Sequence, residues 1–311
     1  MNKRGTSISI IMATYNRSHL IWETIYSIIA QSFKDWECLI IDDGSTDGTK
    51  EILQPYLQND SRLKYIERNR HHKKGLPGCR NQGLELAKGE YVIFFDDDDI
   101  VHPYLLELCF KEIQFTQVDY CRYLRTTFTG NFHYNFDNDL NFDVQHLNIN
   151  HLDDIIMNII PFNSCQVLWR KSNFINNNFN EELMYAEEWE CYSRILSTGA
   201  RGISIDKILF YGRKHANSNT GEFRKNDPIR RDSKIKAVKL IIDNLSTKRL
   251  LSPTLVQHFI RTGFILKENS IIYHALKSSG AGFPTKLKYN LGFQFYPLIR
   301  PVLKLKGRLK R

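Results

Sequence analysis

Short apolar runs alternate with helical patterns over the first hundred residues. Ser7–Ala13 (SISIIMA) has the length of a buried strand. Ser18 then suits a helix N-cap, and Leu20, Ile21, Ile25, Ile28 and Ile29 recur at helical spacing. Trp36–Ile41 (WECLII) predicts a second strand, stopped by the turn formers of Asp42–Gly48. A helix is expected over Thr49–Leu57, a third strand over Leu63–Ile66, a helix over Leu76–Ala87 and a fourth strand over Glu90–Phe95 (EYVIFF). Strands alternating with helices predict a parallel sheet covered by helices on both faces.

Beyond Pro103 the pattern predicts a helix and then a strand, Tyr120–Thr127. Asn131–Asn150, rich in Asn, Asp, Phe and His, has no period and reads as a long loop. Cys165–Trp169 reads as a strand, Glu187–Ser197 as a helix ending at Gly199, and Ile203–Phe210 as a strand. From Pro228 the chain turns helical, over Ile229–Asn244 and Pro253–Tyr273. This predicts a helical C-terminal appendage, with a basic tail beyond Gly282.

Composition changes little in this picture, but charge placement does. The 311 residues are 42% hydrophobic and 25% charged, which is ordinary for a globular protein. The net charge is +9. No Asp or Glu follows Glu268, and nine of the 43 basic residues lie there. The other 34 balance the 34 acidic ones, so the basicity belongs to the tail. That argues against nucleic acid as a partner, which calls for a basic stripe on the fold itself. The six cysteines form no C-x-x-C pair and read as small buried residues of a reducing compartment. The opening MNKRGTSISI is too short and polar for a signal peptide, and no run reaches the ~18–20 apolar residues of a membrane span. The expected location is cytoplasmic, peripheral on the inner membrane face if the tail meets lipid.

Three of the expected strands end in polar groups: Thr14-Tyr15-Asn16-Arg17, Asp42-Asp43-Gly44-Ser45 and Asp96-Asp97-Asp98-Asp99. Parallel strands bring all three to one edge, where ligands of such sheets bind. Four adjacent carboxylates need a cation or full solvation, and their hard oxygens suit Mg²⁺ or Mn²⁺. Such an ion can neutralise the phosphates of a leaving nucleoside diphosphate. The plainer alternative is a solvated acidic turn. Asp43 can accept a hydrogen bond from a base edge, or simply serve its turn. Tyr15 can stack on a base, or pack.

These motifs resemble family 2 glycosyltransferases. The resemblance rests on Ala13–Arg17, Ile41–Asp47, Arg80-Asn81-Gln82-Gly83 and Gly89–Asp99, in that order, and covers roughly residues 5–215. It implies the GT-A fold, a Rossmann-like, mostly parallel sheet flanked by helices, and an inverting sugar transfer. It divides the chain into a GT-A domain over 1–220 and a helical region over 221–311. Residues 1–100 would be the nucleotide-sugar half and 101–220 the acceptor half. The implied nucleotide-sugar ligands are Thr14, Tyr15, Asn16, Arg17, Asp43, Arg80, Asp96 and Asp97. Asp98, Asp96 and His215 would hold Mn²⁺ or Mg²⁺. Glu187-Glu188-Trp189, followed by Arg194, resembles an acceptor-side segment in which Glu188 stands where the family usually has a catalytic Asp. Tyr211, Arg213, His215 and Ser218 resemble a loop that closes over the diphosphate. The implied partners are a nucleotide-sugar donor, with UDP the expected nucleotide, and a glycan or lipid-linked acceptor of surface-polysaccharide type.

Two other classes compete. A nucleotidyltransferase also needs a metal beside acidic strand ends, but usually carries a glycine-rich basic loop after its first strand. Thr14–Ser18 offers only Arg17. A non-catalytic nucleotide-sugar-binding module would tolerate loss of the aspartate run and of Glu188. Both are present. Residues 284–311 mix apolar and basic positions, which suits an anionic membrane surface or a packed helix with a solvated basic end.

Overall fold

Strand β1 (Ile8–Thr14) is flanked on both sides and covered on both faces, which is why its residues are almost uniformly buried. The computed structural model describes residues 6–215 and 219–308. The chain separates into two compact units, Met1–Ser233 and Lys234–Arg311.

In the first unit, β1 is followed by α1 (Ile21–Ile29), β2 (Trp36–Asp42), α2 (Thr49–Asn59), β3 (Leu63–Glu67), α3 (Leu76–Leu86) and β4 (Tyr91–Asp96). These strands form the parallel half of the sheet, in the order β3-β2-β1-β4. Next come β5 (Ile100–Val101), α4 (Leu105–Thr116), β6 (Tyr120–Phe128), β7 (Val144–Leu147), α5 (Leu152–Ile156), β8 (Val167–Arg170), α6 (Glu187–Leu196), β9 (Gly202–Arg213) and α7 (Asn219–Arg224). β8 joins β4 and β6 antiparallel, while β6 and β9 pair in parallel. The nine-stranded sheet is therefore mixed, parallel in its N-terminal half.

Alternation along β1 sorts the two faces. Ile8, Ile10 and Met12 join a cluster with Ile21 and Ile25 of α1 and Leu105 and Ile113 of α4. Ile11 points the other way, against α3 at Gly83, where a Cβ would overlap the Ile11 side chain. Gly83→Ala should therefore cost ~1–3 kcal/mol by overpacking. Urea unfolding checks this.

Several local expectations shift. Ser18 is not the cap of α1: Leu20 occupies that position without a side-chain cap. Ser18 N instead donates to Asp47 Oδ2 at 3.0 Å, tying two loops together. The segment 131–150 is not all loop, since Val144–Leu147 pairs with β9. Within it Phe132, Tyr134 and Phe136 pack on one another, and Phe132 and Phe136 on Tyr211.

α8 (Pro228–Thr247) leads into the second unit, which continues with α9 (Pro253–Leu266), α10 (Asn269–Ser278) and α11 (Phe283–Arg308). The single helix expected over Pro253–Tyr273 is two. Lys267 adopts a left-handed conformation (φ 52°) that ends α9, and Glu268 caps α10 by accepting from Ser270 N. The basic tail expected beyond Gly282 is the helix α11. Side chains beyond Tyr296 lie outside the described residues. No helix among the described residues is long and apolar enough to cross a membrane.

Candidate active site

The sheet register sets the site. Thr14 stands opposite Asp42, and Ala13 opposite Asp96, so the polar ends of β1, β2 and β4 share one edge. A cavity of about 1230 Å³ opens there. Thr14, Tyr15, Arg17, Asp43, all four aspartates of 96–99 and His215 line it. A smaller cavity of about 450 Å³, lined by Leu84, Phe174 and Ile175, holds none of them.

The two adjacent aspartates of the β2 turn have different tasks. Asp42 accepts from Ser45 N at 3.0 Å and from the Tyr65 hydroxyl at 2.6 Å, and so builds the turn. Asp43 faces the cavity. Its oxygens accept from Arg68 Nε and, at 2.9 Å, from Gly75 N. Asn16 does not line the cavity. Its amide accepts from Thr46 N at 2.9 Å, and its own N donates to Ser45 Oγ at 2.9 Å, which braces the first loop against the second. Tyr15 is 45% exposed, with Lys74 Nζ 4.3 Å from its ring centre.

The loop carrying Arg68 and Gly75 is pinned by His72, whose Nδ1 lies 2.8 Å from Glu181 and Nε2 3.2 Å from Glu85. Burial alone would lower the His72 pKa, but bonds to these two carboxylates outweigh it and raise it. A raised folded-state pKa adds stability that is complete below the unfolded value and is lost as pH rises through the folded one. Stability should therefore fall as pH climbs above the ordinary histidine range, and His72→Gln should flatten that slope. Urea midpoints across neutral pH read it.

The aspartate run is short of positive charge. Asp97 is buried and pushed up to about 7, by desolvation first and the charge of Asp98 second, against Arg17. Desolvation and the charges of Asp96 and Asp98 also raise Asp99, which accepts from Arg213 N at 2.7 Å. Arg17 Nε lies 3.3 Å from Asp97 and 4.0 Å from Asp98. His215 Nε2 meets Asp98 Oδ2 at 2.7 Å. Carboxylate oxygens beside an imidazole, with surplus negative charge, fit Mn²⁺ or Mg²⁺. Donor atoms of Asp96, Asp99 and Cys165 also lie within 4.8 Å of one another. Burial raises the Cys165 thiol pKa, so it stays protonated and donates to Asp96 Oδ2 at 3.1 Å. A neutral thiol is a poor ligand for a hard cation.

Arg80 lies beneath the cavity rather than in its lining. It is 2% exposed and bonds Glu187 Oε1 at 2.9 Å, with Asp96 at 3.5 Å. Burial and the Glu188 charge push the Glu187 carboxyl up, against the pull of Arg80. Glu188, in the first turn of α6, is half-buried. It makes no hydrogen bond or ion pair among the described residues, and it lies outside the lining of the aspartate cavity. Arg213 donates to Asp98 O at 2.9 Å and Gly130 O at 2.8 Å, and its Nη2, which makes no hydrogen bond, lies at ion-pair distance from Glu23, 3.0 Å. It holds the aspartate loop in place. Ser218 lies outside the described residues.

Sequence reasoning missed three basic residues of the cavity lining, Arg122 and Arg125 of β6 and Lys214. Charged residues inside a strand with core neighbours, YCRYLRTTF, were the available signal.

A mixed sheet with helices on both faces and acidic strand ends on its parallel half has the architecture of the GT-A fold. A family model described as glycosyl transferase family 2 matches residues 9–187, and the chain belongs to that family. This membership sets aside the nucleotidyltransferase alternative. One relative is the GalNAc(5)-diNAcBac-PP-undecaprenol β-1,3-glucosyltransferase of Campylobacter jejuni, 45% identical over 92 residues, covering 30% of this chain and 29% of that protein. Another is the putative teichuronic acid biosynthesis glycosyltransferase TuaG of Bacillus subtilis, 39% identical over 125 residues, covering 40% and 46%. The matched segments span less than half of these relatives. Among solved structures, S. aureus TarS 1–349 in complex with UDP-GlcNAc superposes with TM-score 0.68 at 21% identity, covering 87% of this chain and 79% of that one. The mannosyltransferase PcManGT of Pyrobaculum calidifontis, in complex with GDP-Man and Mn²⁺, gives TM-score 0.56 at 16% identity, covering 98% and 84%. Both likenesses concern the fold.

Proposed function

We propose that the chain transfers a sugar from a nucleotide-sugar, with UDP the expected nucleotide, to a hydroxyl of a glycan or lipid-linked acceptor, inverting the anomeric centre. The reading is carried by one observation: Asp43, Asp98 and His215 line a single cavity at the carboxyl ends of the parallel strands. Thr14, Tyr15 and Asp43 hold the base, with Arg68 and Gly75 fixing Asp43 from behind. Asp98, Asp96 and His215 would hold Mn²⁺ or Mg²⁺, which supplies positive charge to the leaving diphosphate. Arg17 adds a fixed cation beside Asp97 and Asp98. Glu188 takes the proton of the acceptor hydroxyl as general base. Its freedom from ion pairs favours it over Glu187, which Arg80 holds.

The same reading covers an anionic membrane surface met by residues 284–311. It is supported by Leu287, Leu291 and Phe295, which are exposed on α11 at intervals of four residues. Calorimetric titration with UDP tests the donor site. Binding is expected with Mn²⁺ and should weaken at least about tenfold with chelator or in Asp43→Ala, one lost charge-assisted contact being enough. Absence of UDP and GDP binding under both conditions would overturn the reading.

A further inference from the structure

Arginines on the cavity wall differ in what neutralises them. Arg17 pairs with Asp97, and Arg213 with Glu23. Arg122 and Arg125 form no ion pair among the described residues. Arg122 is 5% exposed, and its guanidinium donates only to neutral oxygens, Pro161 O at 2.7 Å and Ser204 Oγ at 2.7 Å. Burial lowers its pKa, with no carboxylate to oppose the shift. Arg125 Nε is buried without any hydrogen-bond partner, although its charge lies near enough to Asp99 to lower that carboxyl. Buried charges are normally paired, because taking one out of water unpaired is expensive.

The backbone makes a deliberate placement of this pair. Three residues apart on a regular strand, Arg122 and Arg125 would project from opposite faces. Pairing of β6 with β9 shifts register between Arg122 and Leu124, and again between Leu124 and Arg125. Both arginines consequently line the same cavity, while Tyr123 between them stays in the core with its hydroxyl on Cys165 O. Irregular pairing of this kind commonly re-aims side chains beside active sites.

From this we infer that Arg122 and Arg125 form an anion subsite, which binds a carboxylate or phosphate of the substrate facing the aspartates. Guanidinium forks match both groups. The inference rests on the nucleotide-sugar reading for the identity of the substrate, but the two arginines stand apart from the residues assigned to metal and nucleotide. The anion has two possible sources. It is a uronate carboxylate on the donor sugar, or a phosphate carried by the acceptor.

Two titrations separate them, each on wild type, Arg122→Gln and Arg125→Gln. The first compares UDP-glucuronate with UDP-glucose in Mn²⁺. A wild-type preference for the uronate that both variants lose, by about tenfold, places the anion on the donor. The second uses geranyl diphosphate in chelator without nucleotide. Binding by wild type that weakens about tenfold in both variants places it on the acceptor. Changes below about twofold in both titrations, for variants that unfold cooperatively, overturn the subsite. Arg125→Gln keeps the test decisive if Arg122→Gln fails to fold, since Arg125 Nε supports no neighbour. If wild type binds neither nucleotide-sugar, the donor reading fails while the second titration still decides the subsite.

Discussion

On the proposed reading, Asp98→Ala should lower kcat/KM for sugar transfer by about 10³-fold or more, because it removes a ligand of the cation that would neutralise the leaving diphosphate. Among the four aspartates, Asp98 is the one that meets His215, at 2.7 Å, and it also lies within 4.0 Å of Arg17. Asp97 is more deeply committed to the fold, and its replacement should disturb Arg17 before it disturbs an ion. The variant should therefore lose Mn²⁺-dependent UDP binding in calorimetry while unfolding near the wild-type urea midpoint. Retained metal-dependent binding would move the ligand role to Asp96 and Asp99.

The second large effect separates two adjacent glutamates. Glu188→Gln should reduce kcat by about 10²–10⁴-fold, the usual contribution of a general base, with donor binding unchanged. Glu187→Gln should act through stability instead. Arg80 and Glu187 are both almost fully buried and bond at 2.9 Å. Removing the Glu187 charge leaves Arg80 only the longer contact with Asp96, at 3.5 Å, at a cost of up to about 3–5 kcal/mol. Urea unfolding and steady-state kinetics on the two variants distinguish these outcomes. A Glu188→Gln enzyme with full kcat would exclude it as the base.

The parallel half of the fold was legible because β1, β2 and β4 are buried on both faces and read as near-continuous apolar runs. β2, WECLIID, is buried at every position. The alternation with helices then fixed which strand ends meet. β7 was illegible for the opposite reason: of Val144–Leu147 only Leu147 is buried, so no period marks it. The break between α9 and α10 depends on a left-handed Lys267, a residue type that gives no turn signal. At the site, motif order singled out Asp43, Asp98 and His215, which the structure places in the lining of one cavity. It could not show that Asn16 braces a turn, or that Arg80 lies beneath the cavity on Glu187. Those roles depend on partners nearly 30 and more than 100 residues away in sequence. Arg122 and Arg125 were missed because strand periodicity puts them on opposite faces, and only the register shift against β9 brings them together.

Incubation with a panel of UDP-, GDP- and dTDP-sugars, in Mn²⁺, Mg²⁺ or chelator, addresses the central claim most directly. The account predicts metal-dependent release of one nucleoside diphosphate, strengthened by an acceptor glycan or lipid and lost in Asp98→Ala. No release from any donor with acceptor present, together with no donor binding in Mn²⁺, would contradict it.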